Sequence, residues 1–177
     1  MKRIFLTGYM GSGKTTLGKA YARSCGLDFI DLDWYVEERL HKSVSELFAE
    51  RGESGFRELE KKMLHEAGEF ENVVIACGGG TPCFFDNMEY MNRQGITVFL
   101  DVHPDVLFRR LKIAKSKRPL LADKTDEELK TVIANALQQR LPYYLKARIR
   151  FDAGRLESWE QIDESVKKLD QLIVNNQ

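Results

Sequence analysis

The sequence predicts an α/β fold, a parallel sheet with helices on both faces. Three observations predict it. Short apolar runs alternate with longer amphipathic stretches along the 177 residues, the pattern of successive βαβ units. Those runs are nearly continuous in apolar residues, as strands covered on both faces must be. The loops that follow them are rich in Gly and Asp, and ligands of such sheets bind at the carboxyl ends of the strands.

Taken in order, the strands are Arg3–Thr7, Phe29–Leu32, Val73–Cys77, Thr97–Asp101 and Ile149–Asp152. The first helical pattern is Thr15–Ser24, with Leu17, Ala20 and Tyr21 on one face. Trp34–Leu40, Val44–Arg51, Ser54–Ala67, Pro104–Ile113, Asp126–Leu145 and Ser158–Val174 follow. The opening run Ile4-Phe5-Leu6 stops at a glycine-rich loop, so it reads as a strand and not as a signal peptide. No repeat, low-complexity tract or Pro/Gly linker divides the chain, and its length suits one domain over residues 1–177.

Composition excludes several classes. Hydrophobic residues at 43% are too many for a disordered chain and enough for a core without disulfides. The 27 Lys and Arg balance 27 Asp and Glu, which argues against a nucleic-acid coat or a charged membrane anchor. No apolar stretch approaches the roughly 20 residues of a membrane span. Cys25, Cys77 and Cys83 show no CxxC spacing, which suits a reducing compartment. His41, His65 and His103 are scattered, and no zinc-ligand spacing exists.

Gly8-Tyr9-Met10-Gly11-Ser12-Gly13-Lys14-Thr15 matches GxxxxGK[ST] between a strand and a helix. Gly8, Gly11 and Gly13 allow a backbone whose N–H groups point at an anion. The helix that follows adds the positive end of its dipole. Lys14 can reach the β- and γ-phosphates, and the Thr15 hydroxyl can ligate Mg²⁺. The motif predicts a nucleoside triphosphate and magnesium but leaves the acceptor open. A second magnesium-side carboxylate is expected at a strand end, and both Asp31 and Asp101 qualify.

The acceptor side is read from four further features. On an extended segment, Asp31-Leu32-Asp33 would point both carboxylates to one side, one for metal and one for a substrate hydroxyl. The plain alternative is an N-cap for the next helix. Gly78-Gly79-Gly80 weakens folding through backbone entropy, so a run of three suggests close approach of backbone to a ligand rather than a flexible turn. Arg57 sits near a helix start read at Ser54, where the dipole disfavours a cation; surface pairing with Glu60 or Lys61 is the bland reading. Arg140, late in a helix, offers a planar fork for a carboxylate. The basic segment 112–125, broken by Pro119, reads as a lid that delivers Arg118 to the phosphates. A solvated loop is its alternative, and a nucleic-acid patch lacks the interleaved aromatics.

Together these residues resemble the shikimate kinase family. The resemblance runs from Lys2 to about Asp152. It rests on the phosphate loop, Asp31-x-Asp33, the Gly-Glu-x-x-Phe-Arg-x-x-Glu run from Gly52 to Glu60, Gly78-Gly79-Gly80, Arg118-Pro119-Leu120-Leu121, and Arg140 with Tyr143. It implies a P-loop NTPase-type three-layer α/β/α fold with a five-stranded parallel sheet of order 2-3-1-4-5. It also implies a substrate-binding helical region at about residues 33–62 and a lid at about 112–125.

The resemblance implies ATP-dependent phosphorylation of the shikimate 3-hydroxyl. Gly11, Ser12, Gly13, Lys14, Thr15 and Thr16 would wrap the ATP phosphates, and Arg110 would stack on adenine. Thr15 and Asp31 would hold Mg²⁺. Asp33 would bind the acceptor hydroxyl and take its proton. Arg57 and Arg140 would grip the substrate carboxylate, with Gly78, Gly79 and Gly80 beside the ring. Arg118 would join Lys14 and Asp33 in catalysis. A cytoplasmic monomer is implied, with ATP and shikimate as its partners and neither nucleic acid nor membrane. Two other readings compete. Asp123-Lys124-Thr125-Asp126 superficially resembles the guanine-reading motif of a nucleotide switch, but follows no apolar strand. A kinase for gluconate or a nucleoside monophosphate is the other, although two arginines and a glycine loop suit a compact hydroxy acid.

Overall fold

The computed structural model describes residues 2–114 and 121–176. Its five strands are β1 (Arg3–Thr7), β2 (Asp28–Asp31), β3 (Val73–Ala76), β4 (Ile96–Asp101) and β5 (Ile149–Asp152). They pair in parallel in the order β2-β3-β1-β4-β5. The helices are α1 (Lys14–Cys25), α2 (Leu32–Leu40), α3 (Val44–Ala67), α4 (Asn87–Gln94), α5 (Pro104–Ala114), α6 (Asp126–Tyr144) and α7 (Trp159–Asn175). They form the outer layers of a P-loop kinase fold. Alternation along β1 divides the core: Ile4 and Leu6 pack with Leu17, Tyr21 and Leu169, while Phe5 packs with Leu64, Ile75 and Met88. No helix among the described residues is long and apolar enough to cross a membrane.

Three features of the fold position the site. In register, Leu6 lies beside Ala76 and Val98, so the loops after β1, β3 and β4 open on one edge. Gly18 lets α1 lie flat on the sheet, since a Cβ there would stand 2.6 Å from the Phe29 ring and 2.9 Å from Leu6 Cδ1. That fixes the phosphate loop, whose Gly8, Gly11 and Gly13 have φ of 142°, 80° and 94°. In this region side chains are strained.

The structure corrects several expected boundaries. Only β1, β3 and β4 are buried almost throughout; β2 and β5 are edge strands with half-exposed or alternating faces. β2 stops at Asp31 and α2 begins at Leu32. The two helices expected on either side of Gly52 form one run kinked there, at φ 67° and ψ 177°. Its start is the capping box of Ser43 with Glu46, so Ser54 is not a cap. The short helix α4 and the 3₁₀ turn Thr81–Cys83 were not expected; Met88 and Met91, buried and three residues apart, were the available signal.

Candidate active site

The phosphate loop forms one wall of a cavity of about 550 Å³ at the carboxyl end of the sheet. Gly11, Gly13, Lys14, Thr15 and Thr16 line it, opposite Asp33, Gly78 and Gly79. Lys14 Nζ rests 2.7 Å from the Gly8 carbonyl oxygen and 2.9 Å from that of Tyr9. Thr15 donates its hydroxyl to Asp31 Oδ2 at 2.9 Å. Asp101 pairs instead with Arg150 at 2.7 Å, which leaves Asp31 as the strand-end carboxylate beside the loop. Thr15 and Asp31 offer adjacent hard oxygen donors. This fits magnesium, which takes one or two protein oxygens and fills its shell with phosphate and water.

Asp31 and Asp33 do not share an extended segment. Asp31 caps α2, its side chain accepting from the backbone N–H groups of Asp33 and Trp34, and Asp33 lies in the helix's first turn. The strand-to-helix turn brings the carboxylates together, so the capping and metal readings of Asp31 are compatible. Burial pushes the Asp33 carboxyl up to about 6, with Glu60 and Asp31 adding repulsion and Lys14 opposing it.

The three glycines after β3 each press on a different polar side chain. A Cβ on Gly78 would lie 3.1 Å from Asp33 Oδ1. On Gly79 it would lie 3.1 Å from Arg140 Nη1, and on Gly80 2.5 Å from Arg57 Nη2. None of the three has positive φ, so space and not backbone conformation demands glycine here. One carboxylate and two guanidiniums therefore converge on consecutive peptide units from α2, α6 and α3. Arg57 is not a surface pair. It is 9% exposed, binds Glu60 at 2.8 Å, and has the Phe84 ring 4.2 Å from its guanidinium carbon. Glu60, itself 1% exposed, also accepts from the Thr81 hydroxyl at 2.7 Å.

A cavity with a phosphate loop on one side and a carboxylate on the other suits phosphoryl transfer to a hydroxyl; Arg140 and Arg57 approach Gly79 and Gly80 but are not among the described residues that line it. The family model described as shikimate kinase matches residues 10–170. A shikimate kinase of Bacteroides thetaiotaomicron is 65% identical over 98% of this chain and 99% of its own length. The chain belongs to the shikimate kinase family.

Among shikimate kinases, that of Phocaeicola vulgatus is 67% identical over 96% of this chain and 97% of its own. The crystal structure of the B. thetaiotaomicron shikimate kinase superposes with a TM-score of 0.95, covering 97% of each chain. A shikimate kinase from Acinetobacter baumannii, solved in complex with shikimate, superposes at 0.86 with 29% identity, covering all of this chain and 95% of that one.

In this chain the other expected residues fall as follows. Arg110 lines the same cavity and donates to the carbonyls of Gly11 and Ala153 and to Glu157. Ser12 does not face that cavity: it is 1% exposed, its N–H donates to Tyr9, and its hydroxyl has no hydrogen-bond partner among the described residues. Tyr143 is 37% exposed, and Tyr144 is the tyrosine that reaches the glycine loop. Residues 115–120 of the lid reading, Arg118 among them, fall outside the described residues. The supposed guanine motif is a helix start instead: Thr125 caps α6 in a capping box with Glu128, and Asp126 pairs with Lys112.

Sequence reasoning missed the buried role of Glu60, the Thr81 hydroxyl, and Trp34, Leu156 and Glu157 on the cavity wall. For Glu60 the signal was its place three residues after Arg57 on a helix. Leu156 and Glu157 lie in a loop with no periodic pattern to place them.

Proposed function

We propose that this chain transfers the γ-phosphoryl group of ATP to the 3-hydroxyl of shikimate, giving shikimate 3-phosphate and ADP on the route to chorismate and the aromatic amino acids. The observation that carries this reading is the run Gly78, Gly79 and Gly80, which brings Asp33, on the cavity wall across from the phosphate loop, onto consecutive residues with Arg140 and Arg57. A compact ring with a hydroxyl at one end and a carboxylate at the other matches that order of groups.

In this reading the N–H groups of Gly11 and Gly13 and the N-terminus of α1 hold the ATP phosphates, with Thr16 beside them; Ser12, whose N–H is bound to Tyr9, shapes the loop without facing them. Lys14 follows the charge that moves toward the β–γ bridge as it breaks. Thr15 and Asp31 hold Mg²⁺, which when bound neutralises charge on the β- and γ-phosphates. Arg57 and Arg140 fix the substrate carboxylate, so the hydroxyl arrives at Asp33 already aimed at phosphorus. Positioning of this kind supplies most of the catalysis when the transition state is loose. Asp33 orients the hydroxyl first and accepts its proton second. A carboxyl titrating near 6 is largely ionised at neutral pH and more basic than an ordinary carboxylate.

The face of the Arg110 guanidinium is left for adenine, because its bonds to Gly11, Ala153 and Glu157 use donors in the guanidinium plane. Arg118 completes the charge at the phosphates. Residues 1–177 work as a single kinase domain, a cytoplasmic monomer whose partners are ATP and shikimate. Coupled detection of ADP release tests the reading, with shikimate, gluconate, AMP or no acceptor. Shikimate alone should drive rapid release. Equal or faster release with gluconate or AMP would defeat the assignment.

A further inference from the structure

Tyr144 ends α6 four residues after Arg140, so the two side chains leave the same face of the helix. The phenol is fully buried, and its ring stacks on Phe99 of β4 with centroids 5.1 Å apart. Its hydroxyl donates to the Gly79 carbonyl at 2.6 Å, and the Arg140 guanidinium lies against the same residue, its Nη1 3.1 Å from where a Cβ on Gly79 would stand. A phenol has one proton to give. That proton is committed to Gly79. Burial raises the phenol's hold on its proton, so it remains a donor across the neutral range. The stack on Phe99 anchors the ring to the sheet, so the hydroxyl holds the Gly79 peptide in place beside the Arg140 fork.

We infer that Tyr144 is a positioning residue for substrate recognition, holding the glycine loop beside Arg140 and thereby setting how strictly the site demands a carboxylate on its substrate. The inference rests on the reading of Arg140 as a carboxylate ligand. Tyr143, its exposed neighbour, makes no comparable bond to the loop.

Tyr144→Phe keeps the ring and its stack while removing the bond to Gly79. The readout compares shikimate with its methyl ester, which lacks the negative charge. In the unaltered enzyme kcat/KM should favour the acid strongly. In Tyr144→Phe the KM for shikimate should rise about tenfold, the loss of one well-made hydrogen bond. The KM for ATP should hold and the acid-over-ester ratio should shrink. With Arg140→Ala already present, adding Tyr144→Phe should leave that ratio where Arg140→Ala put it.

An unchanged shikimate KM and ratio, with only a lower Tm, would make Tyr144 a packing residue and overturn the inference. So would an equal change of ratio in both backgrounds. If the unaltered enzyme itself ignored the ester's missing charge, the carboxylate reading would fall, and the role given to Tyr144 with it.

Discussion

Asp33 carries the tension of the site. Its carboxylate is crowded by Glu60 and Asp31 and partly desolvated, with Lys14 pulling the other way. Asp33→Asn keeps the shape and removes the charge, so turnover with shikimate should fall by at least about 10²-fold, the low end for a general base. Near-normal turnover would remove Asp33 from the mechanism. The same crowding makes a stability prediction. The folded-state carboxyl titrates at about 6, above its ordinary 3.8, so the native state binds more protons between those values. The contribution of Asp33 to stability therefore falls as pH rises through that window. Asp33→Asn should be the more stable protein above pH 6, with its advantage vanishing as pH drops toward 3.8. Urea titrations at pH 7.5 and pH 4 would check this; an equal advantage at both would contradict it. The kcat/KM for shikimate should lose its activity on the acid side of about 6. Gly80 gives a sharper spatial test. Its added Cβ meets the end of the Arg57 side chain, which can move, and not backbone. Gly80→Ala should therefore fold normally yet raise the shikimate KM by about tenfold or more, as expected when a charged hydrogen bond is displaced. An unchanged KM would mean that Arg57 has room to spare.

Among the elements, α3 does the most to shape the acceptor side, because its kink at Gly52 lies just ahead of Arg57 and Glu60. A Cβ at Gly52 would meet nothing within 4 Å, so any cost of substitution is backbone strain alone. That conformation is nearly restricted to glycine, and Gly52→Ala should cost about 1–3 kcal/mol. In a chain of this length each kcal/mol lowers Tm by about 2–4 °C. A calorimetric scan showing no shift would mean that the kink relaxes freely. The same helix shows where sequence reading stops. Apolar spacing revealed helices on both sides of Gly52, but periodicity carries no sign of whether a glycine between them ends a helix or bends it. β1 and β5 were legible to the residue because glycine or charge bounds their apolar runs. The end of β2 was not, because Leu32 continues the apolar pattern into the first turn of α2.

At the scale of the whole molecule, the sheet gathers loops distant in sequence onto one cavity. The phosphate loop could be placed between β1 and α1 because its conformation depends on its own glycines, but not the inward turn of Ser12, whose N–H goes to Tyr9. Asp33, Arg57 and Arg140 could be named, yet nothing in their spacing showed that three consecutive glycines are what brings them together. Glu60, Thr81 and Tyr144 stayed hidden because their roles are contacts between elements, which no local pattern encodes. The proposed function requires that phosphate and acid meet at this one cavity. A crystal structure with magnesium, a non-hydrolysable ATP analogue and shikimate tests it most directly. The ring should lie against Gly79 with its carboxylate on Arg57 and Arg140 and its 3-hydroxyl between Asp33 and the γ-phosphorus. A ring bound away from the two arginines, or with its carboxylate turned toward the phosphates, would contradict the account.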